Sequence, residues 1–215
     1  MILRSYQREC VDRNIDAMNR GVKSTLNSLF TGAGKTVIFV AMSEAIDGRT
    51  LIITPMRELV WQAVDKVRAI TDRYPDIEMA EYVADEGWPS KVVVASKQTL
   101  LARRGGEARY RRLSGFQLVV VDEAHIMCSD TVVEMLRYFQ DGGAMIAGFT
   151  ATPFRMDGKP LMGDRKWTST KSLSETSICD GPLTTNTECP PSAPLQPLTA
   201  WTSQGLLFPA ETSIS

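Results

Sequence analysis

The stretch Gln117 to His125, QLVVVDEAH, constrains the fold more than any other part of this chain. Leu118, Val119, Val120 and Val121 are apolar on successive residues. Side chains alternate between the two faces of a strand, so a strand with no polar side needs cover above and below. That cover is found in parallel sheets flanked by helices. The run then stops at Asp122 and Glu123, which sets two carboxylates at the carboxyl end of a strand. In such sheets ligands bind at that edge.

The chain up to Gly158 repeats this grammar. Short apolar and β-branched runs at Thr25 to Phe30, Thr50 to Thr54, Ile77 to Tyr82, Lys91 to Ala95, Gln117 to Val121 and Ala144 to Phe149 are the expected strands. Helical patterns lie between them. RELVWQAVDKVRAI puts Leu59, Val60, Ala63, Val64, Val67 and Ile70 on one stripe at spacings of three and four, the pattern of a helix packed on a sheet. KTVIFVAMSEAI and TVVEMLRYF read the same way. The alternation predicts an α/β domain with a mostly parallel sheet flanked by helices.

A chain of 215 residues holds one such domain plus an irregular appendage. With 24 basic and 25 acidic residues the net charge is −1, so bulk charge singles out no nucleic-acid partner. No apolar run nears the roughly 20 residues that cross a bilayer. MILRSYQREC carries acid and lacks a long apolar core, so a cytoplasmic protein with no membrane partner is expected. Cys10, Cys128, Cys179 and Cys189 show neither C-x-x-C spacing nor a dense framework, and are expected as reduced thiols. Residues 159–215 are rich in Ser, Thr and Pro and lack any core-building period, so they read as a low-order tail with one small apolar anchor at Leu206 to Phe208.

Ser28 to Val40, SLFTGAGKTVIFV, has the layout of a phosphate-holding loop. A strand, the loop Thr31-Gly32-Ala33-Gly34-Lys35-Thr36 and a helix from Lys35 aim backbone N–H groups and a helix N-terminus at one point, where an anion is stabilised. In such a loop Gly32 and Gly34 would allow close backbone approach, Lys35 would bridge outer phosphates, and the Thr36 hydroxyl would hold Mg²⁺. Only the second half of G-x-x-x-x-G-K-[ST] is present, because the first glycine position falls on Leu29. An ordinary turn of small residues has the same composition. Asp122 suits a metal held through water, and Glu123 suits orienting or deprotonating an attacking water. Both acids also suit a helix start.

Taken together, LRSYQ at Leu3 to Gln7, TGAGKT at Thr31 to Thr36, TPMREL at Thr54 to Leu59, ASKQTL at Ala95 to Leu100, VDEAH at Val121 to His125 and GFTATPFRMDG at Gly148 to Gly158 resemble, in order and spacing, the first RecA-like domain of a superfamily 2 helicase of the DEAD/DEAH-like group. The resemblance covers residues 1–158. It implies a RecA-like P-loop domain that uses ATP and Mg²⁺ for translocation on, or unwinding of, nucleic acid. The family's loop commonly reads A-x-x-G-x-G-K-T, without the first glycine. Leu29 is larger than the small residue of that pattern and Phe30-Thr31 replaces Pro-Thr, so a somewhat distorted cradle is expected.

The same resemblance assigns roles residue by residue. Gln7 would read the adenine edge, within Arg4-Ser5-Tyr6-Gln7 where the family has R-P-Y-Q. Thr54, Pro55 and Arg57, and then Ser96, Gln98 and Thr99, would touch the nucleic-acid backbone. Thr150 and Thr152 would couple hydrolysis to strand movement, and His125 would sense the γ-phosphate side and a facing domain. TATPFRMDG resembles DNA helicases and restriction-type translocases more than RNA-remodelling enzymes, so DNA is expected in preference to RNA. LARRGGEARYRRL gathers Arg103, Arg104, Arg109, Arg111 and Arg112 with Tyr110, either as an extended phosphate track or as a solvated loop.

Nothing after Gly158 resembles the family's second RecA-like domain, whose arginines are worth roughly 10³ to 10⁵ in rate. The expectation is the ATP-binding half of a helicase or translocase, with weak hydrolysis alone and a second RecA-like domain as a partner in trans. Truncation, or an out-of-frame reading beyond residue 160, is the expected reason for the lost pattern. The alternatives are an ATP-binding interaction module and an inactive remnant.

Overall fold

The computed structural model describes residues 2–84 and 90–152. The expected tail, the end of the last motif at 153–158, Cys179, Cys189 and the apolar group at 206–208 lie outside the described residues.

In chain order the elements are α1 (Ser5–Asn19), β1 (Ser24–Ser28), α2 (Lys35–Ala45), β2 (Arg49–Thr54), α3 (Arg57–Thr71), β3 (Asp76–Glu78), β4 (Val92–Ser96), α4 (Lys97–Leu101), the short pair β5 (Arg103–Arg104) and β6 (Glu107–Ala108), β7 (Phe116–Val121), α5 (Asp130–Asp141) and β8 (Met145–Thr150). Single 3₁₀ turns at Arg109–Arg112 and Ala124–Ile126 flank β7. Six strands make one sheet in the order β1-β8-β7-β2-β4-β3, and every pairing in it is parallel. All their carboxyl ends therefore lie along one edge.

The continuous apolar runs divide their residues between the two faces with period two. Ile52, Val94, Leu118, Val120, Ala147 and Phe149 pack in one core cluster with residues of α1, α2 and α3, including Cys10, Phe39, Val60 and Val64. Leu51, Ile53, Val93, Val119, Val121 and Ile146 pack in the other, with Val132, Met135, Leu136 and Phe139 of α5. Both faces are covered, as QLVVV requires. Each fully buried Val, Leu, Ile or Phe contributes about 1.5–3 kcal/mol relative to exposure, so the two layers together hold the sheet between its helices. In α3 the expected stripe is narrower than its pattern, with Val60, Ala63, Val64 and Val67 buried and Leu59 and Ile70 only partly so.

Most strand boundaries move by one or two residues from expectation. β1 ends at Ser28, yet the Leu29 N–H still donates to the Thr150 carbonyl at 2.9 Å. The run Ile77 to Tyr82 is the larger correction. β3 stops at Glu78 because the chain turns back on itself, with Ala80 at φ 52° and Met79 paired antiparallel to Tyr82.

The reading of the arginine-rich segment as a phosphate track or solvated loop changes at Arg109 and Arg112, which are spent on a buried acid of the domain. Glu78 is fully buried, and Arg109 and Arg112 both pair with it. Arg109 Nε donates to Glu78 Oε1 at 2.8 Å, and the Ala84 N–H donates to Glu78 Oε2 at 2.9 Å. Arg111 pairs with Glu134 of α5 at 3.2 Å. Two cationic partners compensate a carboxylate that could not otherwise be taken out of water. Cys10 and Cys128 are thiols, in agreement with the reduced state expected of them.

Candidate functional site

The loop after β1 carries the first half of the site. Gly32 and Gly34 adopt φ of 85° and 76°, a left-handed region that a side chain would strain. A Cβ built on Gly34 would come within 2.7 Å of Gln7 Nε2, while one on Gly32 would meet nothing within 4 Å. The loop is thus closed against α1 and open on its outer side. Gly34 is the N-cap of α2 and no side chain caps that helix, so its positive end faces the loop. Leu29, at the position of the absent glycine, is 2% exposed and packs with Ala33, Phe39 and Phe149 in the core. Its extra bulk points into the domain.

Sequence reasoning assigned Gln7 but gave Tyr6 no role. Both reach the loop: Gln7 Nε2 and the Tyr6 hydroxyl each donate to the Ala33 carbonyl at 2.9 Å. Gln7 Oε1 accepts from the Arg4 N–H at 3.0 Å, which also closes the first turn of α1. Gln7 is buried and its amide braces the loop, leaving one N–H for another partner. The signal for Tyr6 was its place beside Gln7 in RSYQ. A buried polar network ties α1 to the sheet behind the loop. Asn14 Nδ2 donates to Asn27 Oδ1 at 2.8 Å, Thr25 Oγ1 donates to Asn14 Oδ1 at 2.7 Å, and Asn27 Nδ2 donates to the Gly148 carbonyl at 3.2 Å. No spacing rule points to that network.

The second half follows β7. The Asp122 N–H continues the sheet by donating to the Ile53 carbonyl at 2.9 Å. Glu123 then takes a left-handed φ of 48°, and its N–H donates to Asp122 Oδ1 at 3.0 Å. A non-glycine residue held in that region stores strain, and such residues gather at functional sites. The turn sends Glu123 sideways toward the loop, across the end of β8. Lys35 Nζ and Glu123 Oε1 meet at 3.1 Å. Lys35 and the Asp122-Glu123 corner therefore stand at one place, although Lys35 and Asp122 differ by 87 in number.

Asp122 is 9% exposed, and its carboxyl is pushed up to about 6 from an ordinary 3.8. Burial is the main cause and the charge of Glu123 adds to it; Lys35 and the Glu123 N–H pull in the opposite direction. Such a carboxylate gains from any additional cation. Thr36 lies in the first turn of α2, so Thr36 and Asp122 are the residues that could hold Mg²⁺, with the uncapped helix end and Lys35 left for phosphate oxygens. Magnesium needs only one or two protein ligands when substrate phosphates complete its shell.

His125 stands on the 3₁₀ turn after Glu123, with Nδ1 at 3.0 Å from Thr150 Oγ1 and 3.4 Å from Glu123 Oε2. The Thr150 hydroxyl donates to the Thr152 carbonyl at 2.8 Å and accepts from the Thr152 N–H at 3.1 Å. The two acids, the histidine and the β8 terminus are therefore joined.

The six residues expected against nucleic acid divide by exposure. Thr54 is buried and its hydroxyl donates to the Met56 carbonyl at 3.2 Å, Pro55 is buried beside it, and Arg57 is exposed at the start of α3. Ser96 caps α4 by accepting from the Thr99 N–H at 3.2 Å, and both of these side chains are buried while Gln98 is exposed. Thr54, Pro55, Ser96 and Thr99 shape the corners that present Arg57 and Gln98.

Comparison with known proteins adds the family. Over residues 1–155 the chain matches the family described as Type III restriction enzyme, res subunit. It is 32% identical over 178 residues to the Saccharomyces cerevisiae protein named "Putative ATP-dependent helicase IRC3", covering 74% of this chain and 25% of that protein. It is 33% identical over 160 residues to the Halobacterium salinarum protein named "Putative DNA 3'-5' helicase Rad25", covering 73% and 24%. The chain spans about a quarter of the length of these curated relatives. Among solved structures, the Pyrococcus furiosus Hef helicase domain aligns with a TM-score of 0.60 at 21% identity, over 83% of this chain and 38% of that one. The UvsW helicase of bacteriophage T4 aligns with a TM-score of 0.56 at 20% identity, over 83% and 60%. The structural likeness concerns the fold, which is that of RecA-like helicase domains. With a family match over most of its length and the fold of RecA-like helicase domains beneath it, the chain belongs to the family described as Type III restriction enzyme, res subunit.

Proposed function

We propose that this chain is the ATP-binding half of a DNA translocase or helicase, gripping Mg-ATP between the Thr31 to Thr36 loop and the Asp122-Glu123 corner. The observation that carries the reading is the Lys35 to Glu123 contact at 3.1 Å across the end of β8, next to a carboxyl that burial holds near 6. A lysine and two acids converging on an open glycine loop suit a triphosphate and its metal, and suit few other ligands. When bound, magnesium supplies charge neutralisation at the outer phosphates. To meet a phosphate, Lys35 leaves Glu123. Glu123, freed from its ion pair, is then placed to orient and deprotonate water. His125 and Thr150 carry the change to the end of β8, and Arg57 and Gln98 hold the nucleic-acid backbone.

DNA in preference to RNA rests on the TATPFRMDG resemblance, and the Halobacterium relative is named as a DNA helicase. The arginines that stabilise charge on the transferring phosphoryl group are assigned to a second RecA-like domain, supplied in the same polypeptide or in trans, so hydrolysis by this domain alone is slow. For the compartment we retain the cytoplasm. Among the described residues no helix is long and apolar enough to cross a membrane.

Binding of a fluorescent ATP analogue and phosphate release, each with and without single-stranded DNA or RNA, test the reading. Lys35→Ala is expected to abolish nucleotide binding, and Glu123→Gln to keep binding while losing residual turnover. Equal ATP affinity in wild type and Lys35→Ala refutes it.

A further inference from the structure

Two large aromatic side chains at the carboxyl edge take no part in the nucleotide site and are not used by the core. Trp61 is 38% exposed and Tyr82 is 42% exposed. Their rings meet edge to face, with centroids 5.5 Å apart and planes at 89°. In that geometry the contact occupies the face of only one ring, so open ring faces remain. Val83, beside Tyr82 in sequence, and Met56, at the N-cap of the helix that carries Trp61, are also exposed, at 54% and 57%.

Tyr82 is held in place by deliberate construction. Its turn contains Ala80 at φ 52°, and Arg109 clamps it by donating to the Ala80 carbonyl at 2.6 Å and to the Tyr82 carbonyl at 3.1 Å. Arg109 is itself anchored on the buried Glu78, and the Ala80 N–H donates to Thr99 Oγ1 at 2.9 Å. A strained residue kept by so many partners marks a shape retained for use. Trp61 stands one helical turn beyond Arg57 on α3, and residues four apart share a helix face. An exposed cation and an exposed aromatic pair thus lie side by side, and the turn before Tyr82 is tied to Thr99 of α4, the helix that carries Gln98.

We propose that Trp61 and Tyr82 form a stacking platform for unpaired bases of a single-stranded nucleic acid whose backbone is held by Arg57. The inference rests on the nucleic-acid reading of this edge and adds a place for the bases. Every base has a π face, so the platform tolerates any sequence, whereas paired bases in a duplex offer no free face to it.

The test uses the full chain, a labelled oligo-dT and an abasic oligomer of equal length and charge. Trp61→Ala and Tyr82→Ala are each expected to weaken oligo-dT binding about 5- to 150-fold, the range for one lost base stack. Binding of the abasic oligomer is expected to stay unchanged, and the variants to remain folded. Trp61→Leu, which keeps apolar cover but no π face, shows the same loss, and Trp61→Phe retains most of the affinity. Arg57→Ala weakens both oligomers alike. Loss with Arg57→Ala but none with the Trp61 and Tyr82 variants overturns the platform and leaves the nucleic-acid reading standing. Failure of the wild type to bind either oligomer overturns both. Self-association of the wild type, abolished by the alanine variants with oligonucleotide binding intact, also overturns the platform and assigns the patch to protein contact.

Discussion

Asp122→Asn separates a residue kept for function from one kept for stability. The native carboxyl is held at about 6 against an ordinary 3.8. At about 1.4 kcal/mol per pKa unit, the ionised side chain costs the metal-free fold up to about 3 kcal/mol. The sign follows from proton linkage. Between about pH 4 and pH 6 the folded chain holds a proton that the unfolded chain has released, so stability falls as pH rises through that window and stays lower above it. Asparagine removes the charge while its Oδ1 still accepts from the Glu123 N–H, now at 3.0 Å. Thermal unfolding without magnesium is therefore expected to show the variant about 6–12 °C more stable at pH 7.5 and equal to wild type near pH 4. Mg-ATP should stabilise the wild type and leave the variant unmoved. A variant less stable than wild type at pH 7.5, or one stabilised equally at both pH values, refutes the reasoning.

Two further substitutions probe the frame around the site. Glu78→Gln leaves Arg109 and Arg112 facing each other without their buried counter-charge, so urea unfolding should report a loss of about 3–5 kcal/mol, typical of breaking one side of a buried ion cluster. Gly34→Ala places a methyl within 2.7 Å of Gln7 Nε2 at a left-handed φ, and the thermal midpoint should fall together with nucleotide affinity as Gln7 is driven from the Ala33 carbonyl. Retention of both would mean that the loop does not need its closure against α1.

Much of this was legible because parallel strands leave a strong trace. Runs such as Leu118 to Val121 have both faces buried and are apolar on every residue, and the acids that end them fall at the edge where ligands bind. The convergence of Lys35 with Asp122 and Glu123 was foreseen from the order of their motifs. Leu29 was harder, since a sequence shows the size of a side chain and not its direction, and the structure turns this one into the core. The arginines between Arg109 and Arg112 misled for a related reason. A cluster of cations looks solvated until the acid that neutralises it, here Glu78, is brought from more than thirty residues away to lie 0% exposed beneath it. The left-handed turn at Glu123 has no signature either, because nothing local favours it and only the surrounding bonds keep it.

The position of β8 bears on when the protein becomes competent. Among the described residues, β1, which leads into the glycine loop, has β8 as its only neighbour in the sheet, with Ser28 set against Thr150. During synthesis the first strand of the sheet waits for the last, and closing a segment of that length carries an entropic cost that local contacts cannot offset early. A nascent chain that has not yet delivered Met145 to Thr150 lacks the partner that the described sheet gives to the strand beneath Lys35. Until those residues emerge, the proposed phosphate grip has nothing to stand on.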